Sequence, residues 1–154
     1  MLSKKAKYGL KAMFLLAQRY RAGEVVGIRE MARSEGIPVK FLEAILLELK
    51  NSGFLWSKRG PGGGYALARA PQSIYVGEIL RLLDGPLAPV PCVSKSAYRP
   101  CEECPDEAHC GVRLVMQRTR DAIAEVLDGA SLAEAAAEAS ESAEGQASVP
   151  MYHI

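Results

Sequence analysis

Residues that enzymes rely on are scarce in this 154-residue chain, which holds two histidines, His109 and His153, and one tryptophan, Trp56. No Ser/His/Asp set can be assembled from so few, and an enzyme reading finds little support. The glycine run at 60–64 is followed by neither Lys-Ser nor Lys-Thr and opens no helix, which excludes a nucleotide phosphate loop. No apolar run approaches the ~18 residues that a membrane span needs, so no membrane partner is expected. The N-terminal Met-Leu-Ser-Lys-Lys-Ala-Lys-Tyr is positive, but no apolar h-region follows and Lys11 interrupts what comes next, so a secretory signal is not expected. A cytoplasmic location is the resulting expectation. Thiols stay reduced there, so the four cysteines read as ligands or redox thiols and not as structural disulfides.

What is present is the composition of a soluble globular protein, 49% hydrophobic and 24% charged, long enough for one domain with appendages. The net charge of +1 hides an asymmetry. Residues 1–69 carry thirteen Lys and Arg against five Glu, a surplus of eight positive charges. Residues 70–154 carry six against thirteen acids, a surplus of seven negative ones. A basic first half suits a polyanion, because each neutralised phosphate releases counterions. A solvated basic face with no partner has the same charge, so charge alone does not decide.

Pattern decides more. Ser3 to about Ala22 reads as a long helix with Ala12, Met13, Leu16, Ala17 and Tyr20 on one stripe, ended by Gly23. Glu24-Val25-Val26 is a short loop or strand, and a second helix follows from about Ile28 to Ser34, with Ile28, Met31 and Ala32 inward. After the turn Glu35-Gly36-Ile37, a third helix starts at Pro38. Leu42, Ile45, Leu46 and Leu49 give it an apolar stripe at i, i+3, i+4 and i+7, and Gly53 suits its end. Leu55-Trp56-Ser57 and Tyr65-Ala66-Leu67 flank Gly60-Pro61-Gly62-Gly63-Gly64, a hairpin with Lys58 and Arg59 at its tip. Two helices joined by a tight turn, then a hairpin, predict a winged helix-turn-helix. The fold class expected is therefore mainly α with a small β-hairpin, followed by a long dimerisation helix.

In such a domain the third helix enters the major groove with its N-terminal residues near base edges. Lys40 suits phosphate or guanine and Glu43 a cytosine amino group. Phe41 suits a sugar or a thymine methyl, or a partly buried core position, and Ala44 lies on the same outward side. At the wing, Arg59 suits a narrow minor groove, Ser57 and Lys58 suit phosphates, and Gly60 completes the tip. The expected partner is double-stranded DNA with a near-palindromic operator, bound by a homodimer.

Val76, Ile79, Leu80 and Leu83 mark a fourth helix, closed by Asp84-Gly85 and stopped by Pro86. Beyond it, Cys92, Cys101, Cys104 and Cys110, every cysteine in the chain, fall within one 19-residue window. The segment contains Pro100, Pro105 and no helical stripe, so it is a loop able to wrap a metal or cluster. Thiolates suit iron–sulfur clusters and zinc alike. Cys101-Glu102-Glu103-Cys104 as a catalytic dithiol is disfavoured, since acidic neighbours raise a thiol pKa.

The run Ser57-Lys58-Arg59-Gly60-Pro61-Gly62-Gly63-Gly64-Tyr65, preceded by Phe41-Leu42-Glu43, closely resembles the bacterial winged-helix regulators typified by the iron–sulfur cluster regulator IscR and the nitric-oxide sensor NsrR. The resemblance continues through Leu82-Leu83-Asp84-Gly85-Pro86-Leu87-Ala88-Pro89-Val90, directly before Cys92, and covers about residues 1–128. It implies a homodimeric transcription regulator, read here as a repressor, with a cysteine-bearing sensor loop. Cys92, Cys104 and Cys110 stand where that family's cluster ligands stand. The gap from Cys92 to Cys104 is longer than usual, Cys101 is an added cysteine within it, and Arg113 occupies the place of a histidine used by some members. His109 does not match the pattern. Two ligand sets stay open: the three cysteines with another fourth ligand, or all four cysteines. The cofactor implied is a [2Fe-2S] or [4Fe-4S] cluster, with structural zinc as the alternative.

Val112, Val115, Thr119, Ala122 and Val126, with Met116, Ile123 and Leu127 beside them, form a wide stripe over Val112–Leu127, expected to be a dimer seam. Ser131 and Glu134 have the form of a capping box, opening a short helix. Ala, Glu, Ser and Gly dominate beyond it, which predicts a disordered tail. The organisation expected is a winged domain over 1–85, a sensor loop over 86–111, a dimerisation helix over 112–128 and a tail over 129–154. A zinc-stabilised regulator responding to thiol redox state, or an adaptor that binds another protein through the winged scaffold, is the competing reading.

Overall fold

Ser3 opens the first helix of the computed structural model, which describes residues 2–147. Its hydroxyl accepts from the Ala6 N–H at 3.0 Å, filling one of the free donors of the first turn. Helix α1 spans Lys4–Arg19 and buries Ala6, Gly9, Ala12, Met13 and Leu16. Tyr20, expected on that stripe, is 38% exposed. The chain tightens there into a 3-10 turn over Tyr20–Ala22, which rotates the residue off the buried face.

Helix α2, Ile28–Glu35, buries Met31 and Ala32 and ends at Gly36, where φ is 65°. Helix α3, Val39–Asn51, follows after three residues. Its stripe of Leu42, Ile45, Leu46 and Leu49 is at most 1% exposed, as the spacing predicts. Lys11 of α1 donates to the Glu35 carbonyl at 2.8 Å, fixing the turn between α2 and α3. Strands β1 (Leu55–Lys58) and β2 (Gly64–Leu67) pair antiparallel, with Leu55 opposite Leu67 and Lys58 opposite Gly64. The hairpin is docked to the core through Val26, whose N–H and carbonyl bond the Tyr65 backbone in both directions at 2.9 Å.

Helix α4, Val76–Asp84, lies against α1, and Asp84 accepts from the Ser3 N–H and hydroxyl. The segment from Gly85 to Cys110 has only two 3-10 turns, Pro91–Val93 and Glu107–His109. Helix α5, Gly111–Gly129, contains no buried residue. The wide stripe predicted there divides. Thr119, Ile123 and Leu127 lean over a groove of about 680 Å³ floored by Leu80 and Pro86–Pro89. Val112, Val115 and Val126 face outward, 66%, 55% and 68% exposed.

The tail differs from the expectation of disorder. The capping box forms, with Ser131 Oγ accepting from the Glu134 N–H and Glu134 accepting from Ser131. The helix it opens, α6, runs Leu132–Ala147, well beyond a single short turn. Low apolar content counted against order only if the segment had to fold alone. Instead Leu132 (0% exposed) and Ala136 (5%) insert into the core beside α1, and alanine is the best helix former for the rest. Two backbone bonds, Leu132 N–H to Ile74 and Val76 N–H to Ala130, fasten its start to the beginning of α4. Residues 148–154, including His153, lie outside the described residues.

Candidate nucleic-acid interface and cysteine loop

The outward side of α3 carries Lys40, Phe41, Glu43 and Ala44, all exposed. Phe41 is not a core residue. Its ring, 41% exposed, meets the Tyr8 ring of α1 edge to face with centroids 5.6 Å apart. That contact holds an aromatic plane at the mouth of the helix, where the alternatives read from sequence were a sugar or thymine-methyl contact and a partly buried core position. Leu47 shares this side at 53% exposure, and its only sequence signal was its place off the buried stripe.

At the wing, Ser57 is half-buried opposite Tyr65, while Lys58, Arg59 and Gly60 project freely. The glycines each meet a separate demand. Gly60 and Gly62 have φ of 87° and 71°, left-handed positions that side chains resist. A methyl on Gly63 would lie under 3.0 Å from the Lys58 carbonyl oxygen, and one on Gly64 equally close to the Val26 carbonyl. Lys40, Lys58 and Arg59 are exposed and form no ion pair among the described residues.

The four cysteines are free thiols, Cys101 exposed and the others half-buried. They gather as two neighbourhoods. Cys92 and Cys101 line one cleft with Pro91, Arg99, Pro100, Glu102 and Glu103. Cys104 and Cys110 lie close enough that each shifts the other's titration. Cys110 caps the N-terminus of α5, and the Arg113 N–H, 3.5 Å from its sulfur, draws its pKa below the ordinary thiol value. Desolvation, then the neighbouring Cys110 thiol, push Cys104 the other way. Among the described residues no three of His, Cys, Asp or Glu converge closely enough to hold an ion. The donor chemistry fits a soft metal or cluster: four thiols in one loop, one of them stabilised as thiolate at a helix end. Their placement here is an open one, with the Cys104 N–H donating to the Cys101 carbonyl between the two neighbourhoods. His109 is turned to Asp106, its Nδ1 2.6 Å from that carboxylate, which lowers the Asp106 pKa.

Two arginines that sequence reasoning passed over fasten this loop to the rest. Arg120 of α5, only 13% exposed, donates to the Val93 carbonyl at 2.6 Å, one residue beyond Cys92. Arg81 of α4 grips Asp128 of α5 through both nitrogens at 2.6 and 2.8 Å. Each member of that pair is shifted toward its charged form chiefly by the shared hydrogen bond. Gly77 leaves the room Asp128 needs, since a methyl there would collide with its carboxylate. No spacing rule pairs residues 47 positions apart, and only the compact glycine in an otherwise bulky helix hinted at a close approach.

A family model described as "Rrf2: Iron-dependent Transcriptional regulator" matches residues 2–138. An Rrf2-like HTH-type transcriptional regulator of Rhodobacter capsulatus is 46% identical over 117 residues, covering 75% of this chain and 78% of that protein. Among solved structures, CymR, the global cysteine regulator of B. subtilis, superposes with a TM-score of 0.74 at 32% identity, over 90% of this chain and 97% of that one. IscR of T. potens gives 0.72 at 30% identity, over 99% and 93%. The family match runs past residue 128 into α6, in keeping with that helix being part of the folded unit.

Proposed function

The chain belongs to the Rrf2 family of transcriptional regulators, and from that premise we propose that it is a homodimeric operator-binding repressor governed by an iron–sulfur cluster in its cysteine loop. The observation that carries the DNA half is the set of exposed cations without ion pairs, Lys40 on α3 and Lys58 and Arg59 on the wing. In this reading α3 lies in the major groove, with Lys40 and Glu43 at base edges and Phe41 and Leu47 against thymine methyls. Ala44 leaves room for the groove wall. Arg59 enters the minor groove, while Ser57, Lys58 and the Gly60 backbone hold phosphates. The outward valines of α5 pack against a second copy, which sets two α3 helices about one helical turn of DNA, or a multiple, apart.

Cys92, Cys104 and Cys110 would hold the cluster, with Cys101 as the fourth thiolate. When bound, such a group adds a redox- and oxygen-sensitive centre. The protein's own part is mechanical: Arg120 transmits the position of Val93, next to Cys92, to α5. A second reading, control by thiol oxidation without a cluster, draws on the contact between Cys104 and Cys110. Zinc in place of the cluster would support that second reading too.

The test is titration of oxygen-free protein onto its own upstream region, with iron, sulfide and zinc analysis of the same sample. Visible absorbance with iron and sulfide supports the cluster, and a colourless zinc-loaded protein overturns it. Arg59→Ala should weaken operator binding by about 1–3 kcal/mol with the thermal midpoint unchanged. Equal affinity would remove the wing from the groove.

A further inference from the structure

Helix α1 begins in a way its own stability does not favour. Lys4, Lys5 and Lys7 crowd its first turn, which has no acidic residue of its own, and the carboxylate that serves that end, Asp84 of α4, is engaged by the Ser3 N–H and hydroxyl. A helix N-terminus carries partial positive charge and is stabilised by carboxylates, so each lysine there works against the dipole. Folding explains two of the helix's lysines. Lys5 pairs with Glu48 of α3 at 2.6 Å, and Lys11 holds the Glu35 carbonyl. Lys4 and Lys7 are exposed and have neither an ion pair nor a side-chain hydrogen bond among the described residues.

Three contacts fix where these two point. Lys11 meets the turn before α3, Tyr8 meets Phe41 near its start, and Lys5 meets Glu48 near its end. Helix α1 therefore runs antiparallel alongside the recognition helix. Lys4, Lys7, Tyr8 and Lys11 stand at i, i+3, i+4 and i+7 and share one face. That face is registered at Phe41, on the outward side of α3. Packed helices lie about 8–10 Å apart, while the major groove is about 12 Å wide. A helix beside one that fills the groove therefore comes to rest over the flanking sugar–phosphate backbone.

We propose that Lys4 and Lys7 form a phosphate-gripping rail beside the recognition helix, a contact that rests on the DNA-binding reading above. It deepens that reading by adding a sequence-independent grip from α1, with Tyr8 setting its register against α3. The two charges, which have no partner among the described residues, are then met by phosphates.

The experiment compares the Lys4→Gln/Lys7→Gln double variant with wild type and with Arg59→Ala. Operator and unrelated duplex are each titrated across a range of salt. Each lost phosphate contact should flatten the slope of log affinity against log salt by about 0.9, so by about 1.8 per bound subunit. Affinity for both duplexes should fall together, because phosphates carry no sequence. The thermal midpoint should hold or rise, since a conflict with the dipole is relieved, which separates lost grip from lost fold. A wild-type slope in the double variant, with Arg59→Ala still weakened, overturns the rail alone. No salt-dependent binding by wild type overturns the rail and the DNA-binding reading together.

Discussion

Replacing Gly64 with alanine is the sharpest probe of how the wing is held. The added methyl points at the Val26 carbonyl, under 3.0 Å away, and also crowds the Gly27 nitrogen. Those are backbone atoms, unable to swing aside as a side chain could. Val26 is 1% exposed, so it cannot retreat without opening the core. The strand must therefore lift, which breaks the two Val26–Tyr65 bonds, both 2.9 Å long. A net intramolecular hydrogen bond contributes about 0.5–1.5 kcal/mol, so the pair amounts to about 1–3 kcal/mol. Alanine would also have to hold the φ of 159° that Gly64 adopts, a backbone conformation that side chains resist, so no gain from a stiffer unfolded chain offsets the loss. The expected loss is about 1–3 kcal/mol.

Urea unfolding of Gly64→Ala measures this directly, with an unchanged denaturant slope showing that the same structure unfolds. Gly111→Ala is the control, because nothing lies within 4 Å of a methyl there. It should be neutral or slightly stabilising. Operator affinity of Gly64→Ala, measured where the variant is fully folded, should fall on the order of tenfold as Lys58 and Arg59 lose their register. A Gly64→Ala protein within about 0.5 kcal/mol of wild type that binds DNA normally would refute the argument, since the strand would not need Val26 as its anchor.

Two further outcomes follow from the other packing contacts. Leu132→Ala should cost about 2–5 kcal/mol in urea unfolding, because a fully buried side chain of the core is truncated; no change would mean that α6 is a passive appendage. Asp128→Asn should cost no more than about 1 kcal/mol near neutral pH, since the Arg81–Asp128 pair is half exposed and screened. Arg81 holds the Asp128 carboxyl below its usual value, so the pair stabilises fully above the unfolded carboxylate pKa of about 4 and fades as pH falls through the lower folded value. The gap between Asp128→Asn and wild type should therefore close on acidification, and a gap constant down to about pH 2 would contradict the assignment.

Local pattern was enough for the winged domain. The stripe Leu42, Ile45, Leu46, Leu49 could belong only to a helix with one buried side, and five consecutive turn residues, 60–64, could end only one strand and start another. Even there, sequence gave no sign of why Gly63 is glycine, or of how closely Val26 approaches Gly64; the reason is backbone approach from Lys58 and Val26. Composition misled at α6, because alanine-rich content measures what a segment can bury alone and says nothing of a neighbour already built. The cysteine loop was legible as a concentration of donors but not as an arrangement. Its shape is set by Arg120 on Val93, by the Tyr98 hydroxyl on Glu107 and by Asp106 on His109, contacts made in the folded chain with no periodic signature.

The placement of α5 accounts for how such a loop can matter to a distant helix. Arg120 ties it to the residue after Cys92, and eight positions on, about 12 Å along the axis, Asp128 ties it to α4. From α4 the contacts continue through Asp84 to Ser3, the cap of α1, and through Tyr8 to Phe41 on the recognition helix. None of these links is a core contact. The Arg81–Asp128 pair is 41% and 47% exposed, and breaking a pair of that kind costs about 1 kcal/mol, against the several needed to remove a buried leucine. A helix with no buried residue, held by fastenings this weak, can shift against α4 without unfolding anything, whereas α3, clamped by four fully buried side chains, can only move as a body. In the reading proposed above, rearrangement at the cysteines would be passed on as a tilt of whole winged domains, the kind of displacement to which two half-sites at fixed spacing respond most steeply.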